Sequence, residues 1–198
     1  RVDRSLAGVG AMGDFGVHVV DSVRWNFGEF ARVCAQTGIA YPSRQLPAGT
    51  KAADAEDYCT LLAELDSGAQ VTLSVSRAAR GANGDFLVDA YGSQGALSYR
   101  LRREGKLWYR GELYAASGTQ GFQPIKVPAG VPRSAGQGDP MEVTGKALIA
   151  PLVKRFLAAI RRREESFPSL EDGVRAQAVL DAVVESAARR AWVDVPRI

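Results

Sequence analysis

An α+β fold is the class this sequence predicts, and three observations predict it. Apolar residues recur at helical spacing near the start of the chain and again from Ile149 onward. Between these regions, short runs alternate apolar and polar residues and are joined by tight turns, the mark of an antiparallel sheet. The order is therefore helix, then strands, then two helices. The expected architecture is a single α+β domain over residues 1–198. Its sheet is open and mostly antiparallel or mixed, with the helices packed on one face.

Residues 14 to 26 predict a helix, because Phe15, Val19 and Val23 repeat at spacing four. Asp14, His18, Asp21 and Trp25 fall at i, i+4, i+7 and i+11 and form a second stripe. Beyond Gly28 the pattern turns extended. Tyr58 to Leu65 and Gln70 to Ser76 predict two strands joined at Asp66-Ser67-Gly68. In the second strand Thr72, Ser74 and Ser76 alternate with Val71, Leu73 and Val75, giving one polar and one apolar face. Asp85 to Tyr91 and Ala96 to Leu101 flank the turn Gly92-Ser93-Gln94-Gly95, and Lys106 to Tyr109 suggests a further strand. Ala115 to Pro140 is rich in Gly and Pro and predicts a long irregular loop.

Ile149, Leu152, Val153, Phe156, Leu157 and Ile160 define the apolar face of the next helix, and Arg161-Arg162-Arg163 suits its negative end. Ser169 is placed to cap the last helix, with Glu171 and Asp172 at the positive end. Ala176, Val179, Leu180, Val183, Val184 and Ala187 form its buried stripe, and Val193 to Val195 returns as a short strand. The second face of the sheet needs a cover, for which a second copy of the domain or an upstream part would serve.

Composition narrows the classes of function. The chain has 198 residues, of which 46% are apolar and 24% charged, so global disorder is excluded. Two cysteines, Cys34 and Cys59, and one histidine, His18, exclude a disulfide scaffold and a Cys-rich zinc site. No metal is expected, and a reducing cytoplasm fits. A formal charge of +3 makes nucleic acid a poor partner. No apolar run reaches the ~18 residues of a spanning helix, so no membrane partner is expected. The chain opens at Arg1-Val2-Asp3-Arg4 with no Met and no signal peptide, and is expected to be the downstream part of a longer protein.

Gly8-Val9-Gly10-Ala11-Met12-Gly13 matches the dinucleotide fingerprint G-x-G-x-x-G. That fingerprint needs a buried strand before it, and Arg1 to Leu6 is too charged to be one. The segment reads instead as a flexible loop that lets backbone approach a ligand. Asp14-Phe15-Gly16-Val17-His18 carries more chemistry. Its acid and imidazole sit at i and i+4 on one helix face, and imidazole suits proton transfer near neutral pH. Gly16 in a first helical turn costs about 1 kcal/mol relative to Ala. Close approach of a ligand or strand would offset that cost. Structural readings stand beside the catalytic one: Asp14 as an N-cap and His18 as a hydrogen-bonded buried residue. Asp21 suits a helix surface, and Trp25 suits the core. Arg77 can reach a substrate oxygen or form a surface ion pair. Arg100, Arg102, Arg103, Lys106 and Arg110 suggest a solvated hairpin face.

The stretch from Leu6 to Asp21 resembles the start of the C-terminal domain in the Gfo/Idh/MocA oxidoreductases. Three later segments fit in order: Ser76-Arg77-Ala78-Ala79-Arg80-Gly81, Tyr91-Gly92-Ser93-Gln94-Gly95-Ala96-Leu97 and Pro168-Ser169-Leu170-Glu171-Asp172-Gly173. The resemblance implies an NAD(P)-dependent oxidoreductase acting on a sugar, polyol or related hydroxyl/carbonyl substrate. NAD or NADP would be bound mainly by an upstream Rossmann domain, with no cofactor-binding residue within this chain. This domain would bind substrate and build a homodimer or homotetramer through its sheet face. Asp14 and His18 would be the catalytic residues; Arg77 is a substrate-binding candidate by its own position after the polar-faced strand. His18 would exchange a proton with the substrate hydroxyl, and Asp14 would bind substrate or orient the imidazole. The family's Glu-Lys-Pro motif is not found in these residues, so the isolated chain is expected to be inactive. The alternative is a non-catalytic ligand-binding or oligomerisation module on the same fold.

Overall fold

The computed structural model describes residues 4, 8–46, 49–102, 111–126, 139, 142 and 145–198. The chain divides into two compact units, one made of Arg1–Ala79 with Pro168–Ile198 and the other of Arg80–Phe167.

In the first unit a five-residue π-helical turn, Met12–Gly16, runs directly into helix α1, Val17–Phe27. Asp14 is therefore inside the turn and is not an N-cap; its own N–H donates to Gly10 O at 3.1 Å. α1 ends at Gly28, whose φ of 110° places it where a side chain would be strained. Strand β1 (Phe30–Gly38) follows, then a small hairpin of β2 (Ser43–Leu46) and β3 (Gly49–Ala52) that the sequence did not announce. β4 (Tyr58–Leu65) and β5 (Gln70–Ser76) form the expected hairpin, with Gly68 at φ 82° in its turn.

The buried face of β4 carries Cys59, Leu61, Ala63 and Leu65, and that of β5 carries Leu73 and Val75. Against this face pack Val20 and Val23 of α1 and Ala176, Val179, Leu180 and Val183 of a long helix in the chain's last segment. Full burial of each Val or Leu contributes roughly 1.5–3 kcal/mol. The opposite face is left open, with Leu62 and Tyr58 exposed. Helices on one face of an antiparallel sheet are what the alternation implied.

In the second unit β6 (Phe86–Gly92) and β7 (Gly95–Leu101) pair around a two-residue turn. β8 (Gly111–Ala116) and the short β9 (Gln123–Pro124) extend this antiparallel sheet in the order β6-β7-β8-β9. Both strands fall where a loop or nothing regular was expected. Alternation there is masked by the run of Gly and Pro that follows. Lys106 to Tyr109, with Arg103 and Arg110, lies outside the described residues, as do residues 127–138 and 140 of the Gly/Pro-rich stretch. A π-helical turn, Gly145–Ile149, leads into α2, Ala150–Arg162. The apolar stripe of α2 is present but not buried: Leu152, Val153, Phe156, Leu157 and Ile160 are exposed, and Ala159 alone is buried in this helix.

The chain ends in the first unit. α3 (Leu170–Arg189) starts in a capping box, in which Asp172 N–H donates to Ser169 Oγ at 3.1 Å and Ser169 N–H to Asp172 Oδ2 at 2.7 Å. β10 (Val193–Asp194) completes the first sheet in the order β10-β1-β4-β5. Ser186 fastens α3 to β1: its hydroxyl accepts from Ala35 N–H at 2.9 Å and donates to Ala191 O at 2.6 Å.

Candidate active site

The start of the first helix is held from a distance. Glu56, buried in the loop before β4, accepts at Oε1 from the N–H of Gly10 at 2.8 Å and of Met12 at 3.0 Å. Its backbone carbonyl accepts from Ala11 N–H at 2.9 Å. These are the amides a helix leaves without internal partners, and a carboxylate there also opposes the positive end of the helix dipole. A Cβ on Gly10 would fall on the Glu56 backbone. From Gly10 onward the glycine-rich segment is therefore close-packed against its own chain, which differs from the expected flexible loop; Gly8 alone faces open space. Gly16 has a similar cause: a Cβ there would meet the side chain of Met12, which is 1% exposed. The approach that offsets the helix cost of Gly16 is thus internal.

This clamped start places Asp14 within the π-helical turn and His18 on α1. The Val17 N–H reaches back to Met12 O, so the helix opens through one wide turn that contains Asp14. Asp14 is half-buried and His18 is exposed in the next turn, which removes the reading of His18 as a buried core residue. Asp21 is exposed as expected, 3.5 Å from the guanidinium of Arg24. Trp25 is 78% exposed and not part of the core, because the buried face of α1 is supplied by Val20, Val23 and Arg24.

Arg77 follows the end of β5 and is half-buried, with its N–H donating to Asp57 O at 2.8 Å. The π-helical turn packs against β5, so the Asp14 turn and the strand leading to Arg77 are neighbours. Arg100, on β7, is exposed and lies 5.9 Å from the Tyr114 ring centre.

Sequence reasoning missed Glu56 and Asp57. Asp57 is 1% exposed, accepts at Oδ2 from the N–H groups of Ala40 and Tyr41 at 2.9 and 3.0 Å, and pairs with the Arg44 guanidinium. Two adjacent acids immediately before an apolar strand were the available signal. Charged residues are rarely fully buried unless paired. Cys59, just beyond them, has its thiol pushed up to about 12 by burial and by the Glu56 charge, and is inert.

A cavity of about 440 Å3 lies beside this hub, lined in part by Met12, Ile39, Glu56 and Val183, and one of about 500 Å3 adjoins Cys34 and Arg190. Neither lining includes Asp14, His18 or Arg77. Among the described residues no cluster of three His, Cys, Asp or Glu side chains is placed to hold a metal ion. A nucleotide phosphate does not fit the glycine-rich segment either. Its helix-start amides, the groups that bind phosphate in such loops, already end on Glu56.

Comparison with known proteins accords with this domain. Residues 1–98 match the model of the GFO/IDH/MocA C-terminal domain. The chain belongs to the GFO/IDH/MocA family. This family domain is 29% identical, across its whole length, to 55% of levoglucosan dehydrogenase from Pseudarthrobacter phenanthrenivorans. It is 28% identical, over 88% of its length, to 42% of D-apiose dehydrogenase from Paraburkholderia graminis. A solved levoglucosan dehydrogenase in complex with NADH and levoglucosan superposes at a TM-score of 0.81, with 28% identity over 99% of this chain and 53% of that one. The GFO/IDH/MocA chain described here thus spans about half the length of these relatives.

Proposed function

We propose that this chain is the substrate-binding and oligomerisation part of an NAD(P)-dependent oxidoreductase acting on a sugar, polyol or related hydroxyl/carbonyl pair. The observation that carries the reading is the placement of Asp14 and His18. An acid and the single imidazole of the chain stand four residues apart on a helix whose start is clamped, with the imidazole exposed to a reactant. Two relatives named for sugar substrates, one solved with NADH, support the substrate class and the nicotinamide.

His18 takes the proton of the substrate hydroxyl during oxidation and returns it during reduction, a role imidazole fills near neutral pH. Asp14 hydrogen-bonds the substrate or orients the ring. Arg77 donates to a substrate oxygen, where a guanidinium gives a charge-assisted bond. NAD or NADP is held mainly upstream of this chain, and when bound it supplies the hydride step.

The sheet of the second unit supports the oligomer. Phe86, Val88, Leu97, Tyr99, Leu101 and Leu113 share one face by register, and none is buried. Such a face suits a homodimer or homotetramer. A cytoplasmic location accords with the free thiols of Cys34 and Cys59.

His18→Ala in the full-length enzyme tests the reading. Turnover of sugars and polyols is expected to fall by roughly 10²–10⁴, the usual worth of a general acid–base. Unchanged turnover would remove the proton-transfer role.

A further inference from the structure

Glu56 has no part in the reaction as read above, yet the helix that carries Asp14 and His18 begins on it. Three successive amides, those of Gly10, Ala11 and Met12, end on this one residue from the far side of the β1–β3 segment. The turn has no side-chain cap of its own. Gly10 fits flush against the Glu56 backbone, so the contact leaves no slack. Asp14 lies two residues beyond Met12, and His18 stands one turn later. The neighbouring Asp57 carbonyl accepts from Arg77 N–H at 2.8 Å, so one dipeptide anchors both the helix start and Arg77.

We propose that Glu56 is the positioning residue of the Asp14–His18 pair: its carboxylate fixes the helix start in the orientation that presents both side chains to the substrate. This rests on the reading of Asp14 and His18 given above. The physical basis is the steep dependence of proton transfer on geometry, in which a misplacement of about 1 Å costs on the order of 10²-fold. Glu56 touches neither substrate nor cofactor and acts through the helix.

Four variants of the full-length enzyme test it. Glu56→Ala removes the acceptor. Glu56→Gln keeps an oxygen at the same reach, and Glu56→Asp draws it back by one methylene. His18→Ala tests the underlying site. Thermal unfolding counts the folded fraction of each. Folded Glu56→Ala is expected to lose roughly 10- to 100-fold in kcat, with little change in KM. Its solvent deuterium isotope effect on kcat should rise, because proton transfer through a displaced imidazole becomes slower. Glu56→Gln should recover most of the turnover.

The ring Cε1–H NMR signal of His18 is the one missing from the spectrum of the His18→Ala enzyme. It should move in Glu56→Ala and return in Glu56→Gln. If Glu56→Ala does not fold, Glu56→Asp takes its place, with a smaller kcat loss and the same rise in isotope effect. Wild-type kcat in a folded Glu56→Ala or Glu56→Asp overturns the proposal. So does a loss without change in the isotope effect or the ring signal, which would assign Glu56 to stability alone. A His18→Ala enzyme with wild-type turnover would instead overturn the site reading, whatever the Glu56 variants do.

Discussion

At Arg24 the end of α1, the entry to β1 and the start of α3 meet on one guanidinium, whose side chain is 4% exposed. Its Nε and Nη2 donate to Glu29 at 2.7 and 2.8 Å, and Nη1 donates to Asp172 O at 2.9 Å. The hydrogen bond from Arg24 holds the Glu29 carboxyl below its ordinary value, with the charges of Arg24 and Arg175 acting the same way. A depressed folded-state value means stability that is present above the unfolded pKa, about 4.3 for Glu, and lost as pH falls through the folded one. Acid unfolding is therefore expected to set in below about pH 4. Glu29→Gln removes the charge that faces the buried guanidinium but keeps one acceptor, and because Glu29 is 39% exposed the change should cost about 1 kcal/mol at pH 7. The slope of stability with pH below 5 should flatten as well. Urea titrations of both proteins at several pH values measure this, and an unchanged midpoint at pH 7 would contradict it. The residues that matter most at this scale, Arg24, Glu56 and Asp57, could not be read as such from the chain. Their partners lie 3 to 148 positions away, and two adjacent acids before an apolar strand do not by themselves say which groups they will meet.

Helix α3 shows the element whose ends the sequence does specify. Ser169 and Asp172 stand at the spacing a capping box needs, and the structure closes both of its bonds. Ser169→Ala is expected to cost about 1 kcal/mol, read as a lowered midpoint in thermal or urea unfolding of the first unit. The bonds from Ser169 hold the Asp172 carboxyl below its ordinary value, so the cap too weakens as pH falls through that lowered value. The opening helix behaves differently. Its apolar period was visible only in part, since Val23 is buried but Phe15 is 49% exposed and Val20, outside the predicted face, is fully buried; its π-helical turn was not visible, because that turn is set by the Met12 side chain under Gly16 and by Glu56 from outside. α2 differs again, since its period marks an apolar face that this chain leaves exposed. Periodicity states which side of a helix avoids water; it does not state what covers it.

For the whole molecule, the apolar face shared by β6, β7 and β8 has the largest consequence. Sedimentation of the full-length protein is expected to show a dimer or tetramer, and Leu97→Asp to shift it toward monomer, because Leu97 is 48% exposed on that face. A wild-type protein that stays monomeric at high concentration would refute the oligomer. The hairpin of β4 and β5 and the α3 cap were readable from residue spacing. Each depends on contacts between near neighbours, where chain geometry leaves few choices. Tertiary structure alone decided that His18 is exposed, that Trp25 leaves the core and that the glycine-rich segment closes on Glu56. Those outcomes depend on groups dozens of residues apart meeting in space, and local sequence patterns do not encode that distance.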